Sequence, residues 1–96
     1  MIYKIELEKK VQRNLRKQDP VFLRELKRKH LNKIANDPRQ AGKRLTGKLS
    51  GLWSYHFHFS GTQYRIIYKI FEEQVLIVVI DIGKRENIYQ RVQRKI

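Results

Sequence analysis

The chain has 96 residues, with 22 Lys and Arg against 9 Asp and Glu, a formal charge of +13 and no cysteine. A chain of this length forms one domain, residues 1–96, around one core, and the absence of cysteine excludes disulfides and thiolate metal sites. Residues 1–48 alone hold 15 basic and 5 acidic residues. Because ordinary surfaces mix both signs, this imbalance favours a polyanionic or acidic partner over a merely solvated surface.

Targeting signals are not evident in the sequence. The segment Met1 to Glu8 is too short and too charged for a signal peptide, and no apolar run approaches the roughly 20 residues that a membrane span needs. We therefore expect a cytoplasmic protein without a membrane partner.

The first part of the chain predicts one strand followed by two helices. Apolar and charged residues alternate over 2–8, which is typical of a half-buried strand. Residues 9–17 change to helical spacing. Asp19 can cap a second helix whose first residue is Pro20, and this helix should end before Pro38. His30 lies near the edge of its apolar stripe, so we expect a structural role for this histidine.

A hairpin with one aromatic and one polar face is predicted over 53–71. From Trp53 to Ser60 the residues alternate strictly, and Ser60-Gly61 supplies a turn into a second strand, Thr62 to Phe71. If both apolar faces share one core, Arg65 lies on the same side as the histidines. We assign four aromatic residues to that core: Trp53, Tyr55, Phe57 and Tyr64.

The remaining segments complete an α+β domain. Residues 39–48 form a basic connector with two glycines, and the continuous apolar run Val75 to Ile82 predicts a buried central strand that Gly83 ends. A short basic tail follows, in which a helix is possible. The predicted order is β-α-α-β-β-β, with the two N-terminal helices packed on one face of a small, mostly antiparallel sheet and the other face open.

Three segments in this order carry a family resemblance: 45–51, 63–68 and 83–89. Together with the two preceding helices they resemble the RelE/ParE superfamily of toxins from type II toxin–antitoxin systems, over almost the whole chain. In the RelE branch this resemblance implies an mRNA interferase, an endoribonuclease that cuts mRNA in the ribosomal A site, inhibits translation and is neutralised by a cognate antitoxin. In the ParE branch it implies a DNA gyrase inhibitor that generally lacks the catalytic residues.

Carried over residue by residue, the resemblance implies a catalytic set. Arg65 would bind the scissile phosphate, Arg85 would stabilise the transition state or protonate the leaving group, and Tyr89 would stack on or position a base. His56 and His58 stand where well-known ribonuclease members have lysines. This departure leaves the identity of the acid and the base open.

Metal-free RNA cleavage needs a base for the 2′-hydroxyl, cationic donors for the phosphate and an acid for the 5′-oxygen. Histidine suits both proton transfers, because its reference pKa is about 6.5. We therefore expect one histidine as base, the arginines on the phosphate, and the other histidine or Arg85 as acid. Basic residues near the hairpin are expected to bind RNA: Lys43, Arg44, Lys48 and Lys84. The expected partners are the antitoxin and the ribosome with its mRNA.

Alternative interpretations stay open. His56 and His58 can be solvated residues of an amphipathic strand, Arg65 can belong to a structural ion pair, and Tyr89 can cap the core. A metal site is not expected, because Asp81 is the only carboxylate on the adjoining strand. No cofactor is expected either. The alternative functions are gyrase inhibition without nuclease activity, and a non-catalytic RNA- or ribosome-binding module.

Overall fold

A computed structural model describes residues 2–95 of the chain. Within this range the backbone forms a five-stranded sheet with strand order β1-β5-β4-β3-β2. The edge strand β1 is parallel to β5, and the other pairings are antiparallel, so the sheet is mostly antiparallel as predicted. The strands are β1 (Lys4–Leu7), β2 (Lys43–Arg44), β3 (Trp53–Phe59), β4 (Thr62–Phe71) and β5 (Leu76–Lys84).

The helix that begins at Pro20 starts at its predicted cap, whereas a short helix that begins at Pro38 and a two-residue strand at Lys43–Arg44 lie where the sequence predicted only a helix end and a connector over 39–48. The Asp19 carboxylate accepts a hydrogen bond from the Val21 backbone N–H at 2.8 Å, and Asp37 accepts one from Gln40 at 3.3 Å. A π-helical segment, Leu26–Leu31, joins α2 directly to α3, so these three segments form one continuous helical stretch. The helices are α1 (Lys9–Leu15), α2 (Pro20–Glu25), α3 (Asn32–Asn36), α4 (Pro38–Ala41) and α5 (Ile88–Lys95).

The main core lies between the N-terminal helices and one face of the sheet, as the predicted fold requires. Helix residues such as Phe22, Leu26 and Ile34 pack there against the aromatic face of the hairpin, where Tyr55 and Phe57 are buried. The ring of Tyr64 stacks on that of Phe57, with centroids 5.4 Å apart. Apolar area removed from water is the main stabilising term for this layer.

His30 belongs to this core and is 4% exposed. Its Nδ1 lies 2.8 Å from the Tyr55 hydroxyl oxygen, and its ring stacks on Phe57 at 4.2 Å. Burial lowers the pKa of His30. The Glu25 carboxylate opposes that shift, while the positive charges of Lys29 and Lys33 reinforce it. The histidine is therefore part of the scaffold beneath β3, as its position in the helical stripe predicted.

The second face of the sheet is not open, which corrects the sequence-based expectation. Helix α5 and the segment 45–52 cover much of it, and a second apolar cluster forms there around Ile67. Leu49 and Leu52 come from the segment, and Ile88 and Val92 from the helix. The apolar residues of this eight-residue basic helix lie on one side, which packs against the sheet. Composition alone did not indicate this packing.

Strand β5 also differs from its prediction. It is an interior strand, but β4 is the central one. Gly83 does not end the strand; it lies within β5, where an added Cβ would stand 2.2 Å from the Arg91 guanidinium and 3.3 Å from Ile88. A register shift opposite Ile67 turns both Ile80 and Asp81 toward α5. The missing side chain and the bulge together let α5 approach the sheet.

We predict that His30 makes stability depend on pH. Because the folded pKa of His30 is lowered, the unfolded chain binds protons more strongly, so stability falls as the pH drops below about 6.5. Urea denaturation at pH 7.5 and pH 5.5 should show a larger loss for the wild type than for His30→Gln, in which every other histidine is retained. An equal loss in both proteins would contradict this assignment.

Candidate active site on the polar face of the hairpin

The β3–β4 hairpin sets the geometry of the candidate site. Ser60 and Gly61 form its turn with φ angles of 51° and 79°, the left-handed pair that matches strand twist in two-residue hairpins. The resulting register places His56 directly opposite Arg65, and His58 opposite Gln63. Side chains of directly opposed residues have Cβ atoms about 4.5–5.5 Å apart, so these four side chains share one face.

Arg65 is the unusual member of this face, because it is charged and only 8% exposed. Its Nη1 donates a hydrogen bond to the Tyr64 carbonyl oxygen at 3.0 Å, while its buried Nε has no hydrogen-bond partner. Its neighbour on β5 is Gly83, which has no side chain. Within residues 2–95 no Asp or Glu pairs with this guanidinium. The ion-pair alternative for Arg65 therefore has no support in the described residues.

His56 stands beside this cation in an exposed position. Partial burial lowers its pKa, and the positive charges of Arg65, Lys43 and Arg85 lower it further, in that order. All three charges disfavour the imidazolium form. These effects favour the neutral form of His56, in which a ring nitrogen can accept a proton. His58 is also exposed, two residues further along the same face.

Arg85 and Tyr89 reach the same face from the end of the chain. The Arg85 backbone N–H donates to the Gln63 carbonyl oxygen at 3.0 Å, and its Nη1 donates to Gln63 Oε1 at 3.2 Å. Tyr89 lies on α5, half-buried against the second cluster, and its hydroxyl oxygen is 3.0 Å from Ser54 Oγ. The five residues that the resemblance singles out are therefore brought to one face of the sheet.

The four predicted RNA-binding residues separate into two groups. Lys43 pairs with Ser54 across β2–β3, next to His56, and Lys48 is exposed on the turn that covers this face. Arg44 instead lies over the Trp53 ring, 5.5 Å from its centroid. Lys84 is paired with Tyr64 and lines a groove of about 520 Å³ beside α1. Arg44 and Lys84 thus lie on the face of the sheet that the N-terminal helices cover.

Asp81 does not take part in the site. It is buried, and Arg91 donates to its two oxygens at 2.8 and 3.1 Å while Lys95 lies 3.8 Å away. This pair anchors α5 to β5. In the part of the chain that the structure describes, no three His, Asp or Glu side chains come together as metal ligands. Ser54 and Gln63 are the side chains of this face that sequence reasoning passed over, although their alternation with the histidines marks both as polar-face residues.

Chemically, this face combines three groups: the Arg65 guanidinium, which has no carboxylate partner within residues 2–95, the imidazole of His56, and the exposed guanidinium of Arg85, which is bonded to Gln63. Arginine is suited to phosphate because its donors form a planar fork. A histidine whose pKa lies below 6.5 can take a proton at neutral pH. The arrangement therefore fits binding of an anionic ester next to a proton acceptor.

Comparison with known proteins defines the class. A model of the ParE-like toxins of type II bacterial toxin–antitoxin systems matches residues 5–93. The chain therefore belongs to this toxin family, and the resemblance seen in the sequence is confirmed. No helix in residues 2–95 is long and apolar enough to cross a membrane.

Two known toxins are similar to this chain over nearly its whole length. The mRNA interferase toxin RelE of Escherichia coli is 26% identical over 98 residues, covering 100% of this chain and 99% of that protein. Toxin RelG of Mycobacterium tuberculosis is 29% identical over 91 residues, covering 95% and 100%. The chain is a toxin of a RelBE-type toxin–antitoxin system.

Solved toxin–antitoxin complexes share the fold. In the Mycobacterium tuberculosis RelBE2 complex the matching chain has a TM-score of 0.74 at 26% identity, with 88% of this chain and 100% of that chain covered. In the intact Escherichia coli RelBE complex the TM-score is 0.69 at 28% identity, with 85% and 95% covered. These matches confirm the predicted α+β RelE-like architecture.

We predict that neighbouring cations hold down the pKa of His56. Since Lys43 and Arg85 both disfavour its protonation, Lys43→Gln and Arg85→Gln should each raise the pKa of His56, and the double variant should raise it more. An NMR titration of the imidazole C–H signals measures this directly. Lys27→Gln, in the N-terminal helices on the other side of the sheet, is the matched control and should leave the pKa of His56 unchanged. Insensitivity of His56 in both single variants and the double variant would show that the charges do not act on it.

Proposed function

We propose that this toxin is a ribosome-dependent, metal-independent endoribonuclease, an mRNA interferase that cuts mRNA in the ribosomal A site. The observation that carries the proposal is the pairing of buried, carboxylate-free Arg65 with neutral His56 across one antiparallel register. A buried cation without a counter-ion is costly, so it is kept where an anion can bind. The naming of the Escherichia coli relative as an mRNA interferase agrees with this chemistry.

In the proposed reaction the ribose 2′-oxygen attacks the adjacent phosphorus and the P–O5′ bond breaks. His56 takes the 2′-hydroxyl proton, for which its lowered pKa prepares it. Arg65 holds the phosphate and stabilises the charge that grows on its oxygens. The products are a 2′,3′-cyclic phosphate and a fragment with a 5′-hydroxyl group, and water supplies no atom to this step.

Protonation of the departing 5′-oxygen is assigned to the other basic groups on the face. His58 lies on the same strand two residues from the base, and Arg85 faces the site from beyond β5. An imidazolium group is an effective proton donor near neutral pH. Tyr89 supplies an aromatic ring beside Ser54, where a base next to the cleaved bond can stack.

The N-terminal helices supply a separate docking surface. Helix α1 and the residues directly after it carry Lys9, Lys10, Arg13, Arg16 and Lys17, and none of these five forms an ion pair within residues 2–95. Unneutralised cations of this density bind phosphate backbones by releasing counterions. We propose that this surface, which we call the α1 basic surface, contacts ribosomal RNA while the hairpin face meets the mRNA.

The same surface is proposed to receive the cognate antitoxin. Next to it, Leu7, Leu15 and Leu23 line an apolar groove of about 190 Å³ whose rim includes Arg16 and Lys27. Leucine side chains inside a cationic rim fit an acidic amphipathic segment. Solved relatives are toxin–antitoxin complexes, so a partner of this class is expected. An antitoxin bound here would block the ribosome contact and keep the toxin inactive in the cytoplasm.

We predict cleavage of ribosome-bound mRNA at A-site codons. Toeprinting of a defined message on translating ribosomes should give new 5′ ends with the wild-type toxin. Because a general base and a general acid each contribute about 10²–10⁴-fold, His56→Ala and Arg85→Ala should each lower the cleavage rate by a factor of up to this size. Lys69→Ala, an exposed residue of β4 outside the proposed set, is the control and should cleave normally.

A folded wild-type toxin that binds the ribosome but makes no new 5′ ends would contradict the nuclease proposal. Because resemblance to the ParE branch implies gyrase inhibition, a supercoiling assay with purified gyrase accompanies the cleavage assay. Inhibition there, unaffected by His56→Ala, would establish the gyrase alternative. Ribosome binding without either activity would establish the non-catalytic module.

We predict that neutralising the α1 basic surface weakens ribosome binding without altering the site. In the Lys10→Gln, Arg13→Gln double variant the salt dependence of binding should fall by about one logarithmic slope unit per lost phosphate contact. Lys4 lies on the face of β1 that points away from the main core, and Lys4→Gln serves as the control. Filter binding at several salt concentrations measures the slopes. Equal slopes for the wild type and the double variant would place the ribosome contact elsewhere.

A further inference from the structure

Two residues of the proposed site come from the C-terminal segment, and the hairpin holds each by one polar side chain. Ser54 is 1% exposed and lies on the site face two residues before His56. A hydrogen bond of 3.0 Å joins its hydroxyl to that of Tyr89. Its direct neighbours across the strands are Lys43 and Ile67, so the tyrosine is fastened at one end of the site.

Gln63 holds the other residue at the opposite end. Its side-chain carbonyl accepts from Arg85 Nη1 at 3.2 Å, and its backbone carbonyl accepts from the Arg85 N–H at 3.0 Å. Gln63 also stands directly across from His58. The exposed arginine side chain is thereby held at Gln63, next to the position of His58.

Docking of α5 does not depend on these two contacts. Ile88 and Val92 are both fully buried, and Asp81 binds Arg91 and Lys95. The Ser54 hydroxyl therefore sets where the phenol ring points, rather than whether the helix packs. In the same way, the backbone bond to Gln63 fixes the chain at Arg85, and the side-chain amide fixes the guanidinium.

We propose that Ser54 and Gln63 are positioning residues of the nuclease site, Ser54 for Tyr89 and Gln63 for Arg85. The inference rests on the proposed function. Catalytic groups contribute fully only when they are held near the reactive geometry, and a displacement of about 1 Å can cost roughly 10²-fold in rate. A site assembled from two separate chain segments needs such fixed points, because the packing of α5 on the sheet does not by itself set the direction of an individual side chain.

The test for Ser54 is a double-mutant cycle in single-turnover cleavage of ribosome-bound mRNA. Ser54→Ala and Tyr89→Phe remove the same hydrogen bond from opposite ends. Each single variant should lower the maximal cleavage rate by roughly tenfold, which is half, on a logarithmic scale, of the roughly 10²-fold effect of a misplaced group. The double variant should be no slower than either single variant, because both remove the same bond. The toxin concentration for half-maximal rate should stay unchanged, because binding does not use this bond. Ser50→Ala, an exposed serine, is the control.

The test for Gln63 compares a substitution that removes the acceptor with one that keeps a neutral acceptor. Gln63→Leu removes the acceptor for Arg85 and should lower the maximal rate, and this loss should be absent when Arg85→Ala is already in place. Gln63→Asn keeps an amide oxygen without adding a charge and should retain more of the rate than Gln63→Leu, which a purely structural role would not require. Gln74→Ala, in the exposed β4–β5 turn, is the control.

The outcomes separate the two levels of the proposal. A wild-type toxin that fails to cut would overturn the nuclease function, and the positioning roles with it. Cleavage by wild type with unchanged rates in Ser54→Ala, Tyr89→Phe and Gln63→Leu would overturn the positioning roles alone, as would additive losses in the cycles. If Ser54→Ala does not fold, the rate of Tyr89→Phe relative to wild type decides whether that hydrogen bond matters.

Discussion

The register between β3 and β4 is the constraint on which the rest of the site depends. With His56 opposite Arg65, the aromatic side chains of both strands face the helices while the imidazole and the guanidinium share the other face. A slip by one residue would expose the aromatic core and bury the histidines. The left-handed Ser60-Gly61 turn and the aromatic packing therefore fix the chemistry as firmly as they fix the fold.

The two faces of the sheet have separate tasks. One face carries the main core and, outside it, the α1 basic surface. On the other face, α5 closes a smaller apolar cluster and leaves an uncovered area over the hairpin. The Asp81 carboxylate anchors that helix through Arg91 and so places Tyr89 beside the hairpin, while Arg85 reaches the hairpin from the turn between β5 and α5. Binding to a large polyanion and chemistry on one phosphate can thus proceed on different surfaces of a small protein.

Local patterns were sufficient to predict much of this arrangement. Strict alternation and the turn residues identified both hairpin strands and put Arg65 with the histidines, and Asp19 identified the start of the second helix. Features that depend on contacts between distant segments were not accessible. The position of β5 beside β1, the bulge that turns Ile80 and Asp81 to the same side, and the packing of α5 arise from tertiary structure rather than from any local period. The same reason hid the contacts of Ser54 and Gln63.

The central claim is that the hairpin face activates the 2′-hydroxyl of mRNA. The most direct measurement uses a message with a single 2′-deoxy nucleotide immediately 5′ of the cleaved phosphate, compared with the all-ribose message on the same ribosomes. If His56 acts as proposed, the ribose message yields a 2′,3′-cyclic phosphate and a 5′-hydroxyl fragment, and the deoxy message is not cut. Cleavage of the deoxy message at the same position would contradict the claim, because the proton that His56 is proposed to take would not be there.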